Sequence, residues 1–473
     1  VDKNMKNIKL GIPLHGKMSS RAFHSALFRK RLKENGMEPL YFLTSDYLAA
    51  IPNDEDHYFE LQIKAYEKFY QDHAFLRAMK SLRRFVVTTE TTDLRLREEI
   101  ELIVYNKSLW KISAYIFYTI MLRQVPAMGE FLLWSERMLY KTKVHSEVIS
   151  QQNITCVLTP GMGNYRFEYS GQFALEAQSL GLPVFSAITN YDNVVNMGFR
   201  GFNPSCLAVW SQQMADDVMH LHRVPANKIE ITGPIQYDRF KQPLPLSREA
   251  FLKSIGLDPS RKTILVAGGI NITRYFEIYS IFVENGSNLF STPYNLIIRP
   301  YPHEALLQSP GWKILRKLFK EKQIYLSVPE PVDKNEKQTQ ELSQDLFFEE
   351  AHDELSYLLP YSDVMVNYFS TIALEAAICD LPVIHVGYDL YTYGHRFNLT
   401  TSFQQRQTHN KRKLRIAASR VAKNESDLIR YVTMYLENRA LDSEARKEYA
   451  VSECGELDGK SGVRLIEMIK GRL

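Results

Sequence analysis

Two regions of the chain share one rhythm: a short apolar block, a polar break, then a longer stretch with apolar residues at helical spacing. The first region opens with IKLGIPLHG, an apolar run that breaks at Gly16. SSRAFHSALFRKRLKENG follows with helical spacing and a closing Gly36, then EPLYFLT as a second strand. Short apolar runs bounded by turn residues suit buried strands, and apolar positions every third or fourth residue suit one buried helix face. From about residue 54 to 150 the rhythm changes: DHYFELQIKAYEKFYQDHAFLRAMKSLRRF and its continuation carry helical spacing with many Lys and Arg between. It resumes with ITCVLTPG, GQFALEAQSLG, LPVFSAI, CLAVWS, QQMADDVMHLHRV and IEITGPIQYDRF. KQPLPLS reads as a linker, because two prolines interrupt regular structure. KTILVAGG, YNLIIRPYP, QIYLSV, VMVNYF and LPVIHV form a second strand series, interrupted by the polar excursion EPVDKNEKQTQELSQD. Strands alternating with helices predict parallel sheets, here two in tandem. The expected organisation is α/β: an N-terminal domain at 1–242 with a helical insert at about 54–150, and a C-terminal domain at 243–473 with a closing helix.

Composition narrows the class. A chain of 473 residues exceeds what one core usually serves. Hydrophobic and charged shares of 45% and 24% are those of a soluble globular protein. A net charge of +4 is too small to argue for nucleic acid, so no nucleic-acid partner is expected. The four cysteines show no CxxC and no metal spacing, and read as buried thiols. The longest apolar run, ISAYIFYTIML, is too short to span a bilayer. With a polar VDKNMKN in place of a secretory leader, the cytoplasm is the expected compartment.

The candidate chemistry gathers at strand ends. In VMVNYFSTIALEAAICDLPVIHV, Ser370 and Thr371 fall between a buried strand and a small-residue helix. Backbone N–H groups and the helix dipole favour a phosphate there, and Glu375, one turn in, is placed for a ribose hydroxyl. The plainer reading makes Ser370 a helix cap and Glu375 a solvated acid. Gly268 and Gly269 end another strand, with Asn271 following, and glycines allow close backbone approach to a ligand. Arg299 and His303 stand in a loop stiffened by Pro300 and Pro302, and Arg suits phosphate oxygens. Ligands of doubly wound sheets bind beyond the carboxyl ends of the strands, where these residues fall.

These segments resemble the GT-B glycosyltransferases. DELSYLLPYSDVMVNYFSTIALEAAICDLPVI is similar to their donor-binding segment, where a Ser/Thr pair meets the diphosphate and the Glu meets the ribose. HRVPANKIEITGPIQYDRF resembles the end of their first domain and REAFLKSIGLDPSRKTILVAGG the start of their second. ITNYDNVVNMGF and the closing GELDGKSGVRLIEMI are similar to a surface-polysaccharide branch related to CDP-glycerol glycerophosphotransferases. The resemblance covers roughly 1–50 and 150–473. It departs at Asn367, where many retaining members have a glutamate, and PLHGKMSSR differs from the first loop of the UDP-N-acetylglucosamine 2-epimerases. DED at Asp54–Asp56 matches a metal-dependent transferase only by letter.

The resemblance implies two Rossmann-like domains facing a cleft. It also implies metal-independent transfer from a nucleotide-sugar donor to a cell-surface glycan or lipid-linked acceptor, with no cofactor. Such chemistry needs a general base. The candidates are His15 at the end of the first strand, Asp192 in NYDN, and Glu168 as a third, against structural readings of a loop-bonded histidine and a turn-forming Asp. Two other functions remain open, a sugar-nucleotide epimerase of the same fold and a non-catalytic nucleotide-sugar-binding scaffold. Arg77, Lys80, Arg83, Arg84 and Phe85 give the insert three readings: contact with anionic lipid at the inner face of the membrane, core packing, or a homo-oligomer interface.

Overall fold

A computed structural model describes residues 8–49, 56–105, 116, 119–121, 123–125, 127–140, 142–164, 168–269, 272–290, 292–300, 304–322, 324–328, 354–389 and 400–473. The chain divides into two compact units. One comprises the chain up to Lys241 together with Ser452–Leu473, and the other the described residues from Gln242 to Val451.

The first unit holds a parallel sheet of seven strands: β1 (Ile8–Leu14), β2 (Met37–Leu43), β3 (His57–Glu60), β4 (Cys156–Pro160), β5 (Val184–Ala187), β6 (Cys206–Val209) and β7 (Ile229–Ile231). Their order is β3-β2-β1-β4-β5-β6-β7. The second unit holds six: β8 (Lys262–Ala267), β9 (Tyr294–Arg299), β10 (Tyr325–Leu326), β11 (Val364–Asn367), β12 (Val383–Val386) and β13 (Arg420–Ala422), in the order β10-β9-β8-β11-β12-β13. Each sheet therefore reverses its winding once, between β1 and β4 and between β8 and β11.

The central strands are buried along nearly their whole length, as parallel strands covered on both faces must be. In β1, Leu10, Ile12 and Leu14 join one core with Phe28 and Leu32, while Leu40 and Phe42 of β2 join another with Tyr66 and Phe173. The period of two along a strand sends alternate residues to opposite faces. Three of the four cysteines are buried and all are free thiols.

Two features differ from the sequence expectation. HYFE, expected within the helical insert, is the edge strand β3, paired with β2 from Leu40↔His57 to Leu43↔Glu60. Tyr58 stacks on Tyr41 at 5.8 Å, and Asp56 is held by Arg29 and Lys33, each at 2.8 Å. Those contacts outweigh the local helical spacing and give Asp56 a structural role. The helices Ile63–Asp72, Ala74–Arg83, Glu90–Tyr105 and Met128–Leu139 follow. The second difference is the closing helix Ser461–Lys470, expected in the C-terminal domain. Its Leu465, Ile466, Met468 and Ile469 lie in the first unit's core beside Leu10 and Ile12. Buried Asp238 fixes its start, accepting from the Ser461 and Gly462 amides at 3.0 and 2.9 Å and pairing with Arg31.

The first unit also contains two histidines that burial keeps neutral. His145 lies against the Tyr66 hydroxyl at 2.8 Å, and His222 donates through Nε2 to the Val194 carbonyl at 2.7 Å. Burial lowers both from 6.5 to about 4. A depressed histidine binds fewer protons folded than unfolded, so its contribution is complete above about pH 6.5 and is lost as pH falls toward 4. The expected loss is on the order of 3 kcal/mol per histidine. Urea denaturation at pH 7 and pH 4.5 should show it, and His222→Gln should flatten the dependence.

Candidate functional site

Three sequence-predicted residues of the second unit, Gly268, Gly269 and Ser370, meet where its sheet reverses. Gly268 and Gly269 follow β8, while Asn367 ends β11, the strand paired with β8 along Val364–Asn367, and Tyr368, Phe369 and Ser370 follow it. Both glycines have positive φ, 89° and 93°. A Cβ on Gly268 would stand 2.7 Å from Ser370 Oγ, so only glycine lets these loops meet. Asn367 joins them: its Nδ2 donates to the Ala267 carbonyl at 2.9 Å and to Ser370 Oγ at 2.8 Å, and its Oδ1 accepts the Ser370 amide at 2.9 Å. Tyr275 holds the other side, donating to the Gly268 and Gly269 carbonyls at 3.0 and 2.9 Å.

Phe369 sits at φ 59°, a strained conformation for a bulky residue. Its ring stacks on His385 at 4.4 Å, and its amide donates to His385 Nδ1 at 3.3 Å. Burial, together with nearby Lys413, keeps that histidine well below its ordinary value and therefore neutral. The helix Ile372–Ile378 starts beyond exposed Thr371, which forms no side-chain cap, and carries half-buried Glu375 in its first turn.

Arg299 ends β9 with its charge engaged. Its Nη1 donates to Ser327 Oγ at 2.5 Å and to Glu354 Oε2 at 3.1 Å, so an incoming phosphate would compete with Glu354. Asn271, His303 and the polar stretch EPVDKNEKQTQELSQD lie outside the described residues.

In the first unit, His15 follows β1 and half-buried faces the Tyr169 ring edge-on at 4.7 Å. The Tyr169 hydroxyl donates to Glu67 Oε1 at 2.5 Å. Burial pulls the imidazole below its ordinary value, and the Glu67 carboxylate partly offsets this. The ring is thus neutral, and able to accept a proton, at pH 7. Asp192 lies elsewhere, beyond β5, with β4 between. It is buried; Oδ2 accepts from Asn196 Nδ2 at 2.9 Å, while Oδ1 has no hydrogen-bond partner among the described residues. The Oδ1 atoms of Asn164 and Asn193 are in the same condition, and Asn164 Nδ2 donates to the Asn193 carbonyl at 3.3 Å. Glu168 is paired with Lys80 at 2.6 Å.

The insert braces these loops from behind. Arg83 donates to the Arg200 carbonyl at 2.8 Å and Thr89 to the Val195 carbonyl at 2.7 Å, while the Gly201 amide donates to the Met162 carbonyl at 2.7 Å. Four members of the basic run Arg77, Lys80, Arg83, Arg84 and Phe85 are engaged with the protein, while Arg77 is exposed. Arg83 and Phe85 are buried, Lys80 is held by Glu168, and Arg84 pairs with Glu99 at 3.1 Å.

Sequence reasoning missed three residues here. Asn367 was legible as a polar residue ending a strand. Gly163, at φ 66° after β4, was legible in TPGMGN. Lys413, buried and donating to Asn410 Oδ1 at 3.0 Å, was not, because THNKRKLR reads as a solvated helix.

Residues 311–471 match the family model described as CDP-Glycerol:Poly(glycerophosphate) glycerophosphotransferase. No curated relative matches the sequence. Solved structures with similar folds include a Listeria monocytogenes protein provisionally named UDP-N-acetylglucosamine 2-epimerase, 13% identical over 98% of this chain and 96% of its own, with a TM-score of 0.54. The UDP-GlcNAc 2-epimerase of Neisseria meningitidis bound to UDP-GlcNAc is 12% identical over 98% of this chain and 100% of its own, at 0.51. The Methanocaldococcus jannaschii UDP-GlcNAc 2-epimerase with UDP-GlcNAc and UDP is 14% identical over 98% and 100%, at 0.50. At such identities these neighbours establish the fold. With its two Rossmann-like units, this chain has the GT-B fold, and its C-terminal third is similar to the CDP-glycerol glycerophosphotransferase family.

Proposed function

We propose that this protein transfers a sugar, or a related polyol phosphate, from a nucleotide-activated donor to a hydroxyl of a cell-surface glycan or lipid-linked acceptor. The observation that carries the reading is the array of Gly268, Gly269, Asn367 and Ser370 around the winding reversal of the second sheet, where such sheets take nucleotides. Asn367 and Ser370 also fall inside the segment that matches the transferase family model. Thr371 and Glu375 complete the donor contacts, with Arg299 and His303 assisting at the phosphates and Asn271 beside the glycines. The acceptor oxygen forms its new bond to the sugar carbon or to phosphorus, its proton passes to His15, and the nucleotide leaves with the bonding electrons. Asp192 is the second candidate base. The reading requires neither metal nor cofactor.

A thermal-shift screen of CDP- and UDP-linked donors tests it on the whole chain. A fragment beginning near residue 243 would carry Ser461–Lys470 without the core that buries it. A donor at 100 times its Kd should stabilise the fold by about 2.7 kcal/mol. Gly268→Ala should abolish that shift, because a side chain at φ 89° must displace Ser370 Oγ. Stabilisation by no nucleotide, or a full shift in Gly268→Ala, would overturn the site. The fold neighbours support a second reading, a sugar-nucleotide epimerase, which would convert its nucleotide sugar without any acceptor present.

A further inference from the structure

We propose that Lys413 is a positioning residue of the donor site, holding the turn Tyr368–Ser370 in place through the ring of Phe369. The inference rests on the donor reading above and adds a residue too buried to meet the donor itself. Lys413 is 1% exposed and is the one buried lysine among the described residues. Its Nζ lies over the Phe369 ring, 5.7 Å from the centroid, within the range of a cation–π contact. It also donates to Asn410 Oδ1 at 3.0 Å, and fully buried Asn410 donates through Nδ2 to the Gln404 carbonyl at 2.8 Å. Removing an ammonium from water is costly, and a cation–ring contact gains strength where water is absent.

The ring is where a buried charge can act on the site. Phe369 has φ 59°, a backbone conformation that persists only where the surroundings hold it. Its side chain supplies that hold, stacked on His385 at 4.4 Å and facing the Lys413 ammonium. The reversal at Phe369 turns Ser370 toward Gly268 and toward Asn367, which bonds its amide and hydroxyl at 2.9 and 2.8 Å. A Phe369 freed to an ordinary φ would carry Ser370 away from both. Tyr368, the preceding residue, is held in the same manner. Arg274, 4% exposed, lies over its ring at 5.4 Å and pairs with Asp389 at 3.0 Å. Asp389 in turn accepts from the Thr401 hydroxyl at 3.0 Å, at the start of the helix Thr401–Arg406 that carries Gln404. Two adjacent rings of the turn thus meet two buried cations, and both cations are anchored to the same helix.

Two measurements on the full chain test the role: calorimetric titration with CDP, and amide hydrogen exchange across residues 367–371 without nucleotide. Lys413→Met keeps the stem and removes the charge. It should speed that exchange and raise the CDP dissociation constant, each at least about tenfold. Lys413→Gln keeps a donor toward Asn410 without the charge and should do the same. Phe369→Leu keeps an apolar side chain and removes the ring face. If Lys413 acts through that ring, the combined Met and Leu variant should lose well short of the sum of the two single losses. Lys411→Met, at an exposed site on the same helix, should match the native protein. Unchanged CDP affinity in both Lys413 variants, or additive losses, would overturn the proposal. So would global unfolding of both, because Lys413 would then support the whole unit rather than the turn. If neither CDP nor UDP binds the native protein, the donor reading fails and takes the role with it, even where exchange shows Lys413 holding the turn.

Discussion

His15→Ala should reduce turnover by about 10²–10⁴, the usual worth of a positioned general base, and leave the donor-induced thermal shift unchanged. The two readouts separate because the proposed donor loops belong to the second unit and His15 to the first. The pH profile adds a signature that a structural role would not produce. Burial favours neutral imidazole and Glu67 favours imidazolium, with burial the larger effect. The acid limb of the rate should therefore lie below pH 6.5, histidine's ordinary value. Glu67→Gln removes the group that raises the pKa, so it should move that limb to still lower pH without abolishing turnover. Asp192→Ala is the comparison: if it loses turnover and His15→Ala does not, the roles are exchanged. Near-full activity in both variants would show that the base lies elsewhere, with the donor site untouched.

Asp238→Ala should destabilise the first unit by about 3–5 kcal/mol, the range for breaking a buried ion pair on one side. The substitution leaves the Arg31 guanidinium without its carboxylate and two helix-start amides without an acceptor. Asp238→Asn should recover only part of the loss, because it keeps one acceptor oxygen and removes the charge. Chemical denaturation measures both. A midpoint unchanged in Asp238→Ala would mean that the apolar contacts of Leu465, Ile466 and Ile469 hold the helix without it.

The α/β class and the two tandem parallel sheets were legible because buried parallel strands are continuous apolar runs between turn residues. The strand-end positions of His15, Gly268, Gly269 and Arg299 were legible for a related reason. A polar or glycine residue that closes a continuous apolar run marks where the buried strand ends. What escaped depended on contacts between distant segments. HYFE has no local mark of a strand until Tyr41 and Arg29 are beside it. Lys80, Arg83 and Arg84 read as basic surface until Glu168, Glu136 and Glu99 are placed against them. The exposed face of Met128–Leu139 was hidden differently: FLLWSERML is apolar on both sides, and only the fold tells which side is covered.

The closing helix also bears on the order of synthesis. The ribosome makes six strands of the second unit before it makes Leu465, Ile466, Met468 and Ile469, which complete the core around β1. The N-terminal unit, translated first, thus cannot complete its core until the second unit has been made. Until then the surface around Leu10 and Phe28 lacks part of its cover and presents apolar side chains to the chaperones that bind nascent chains.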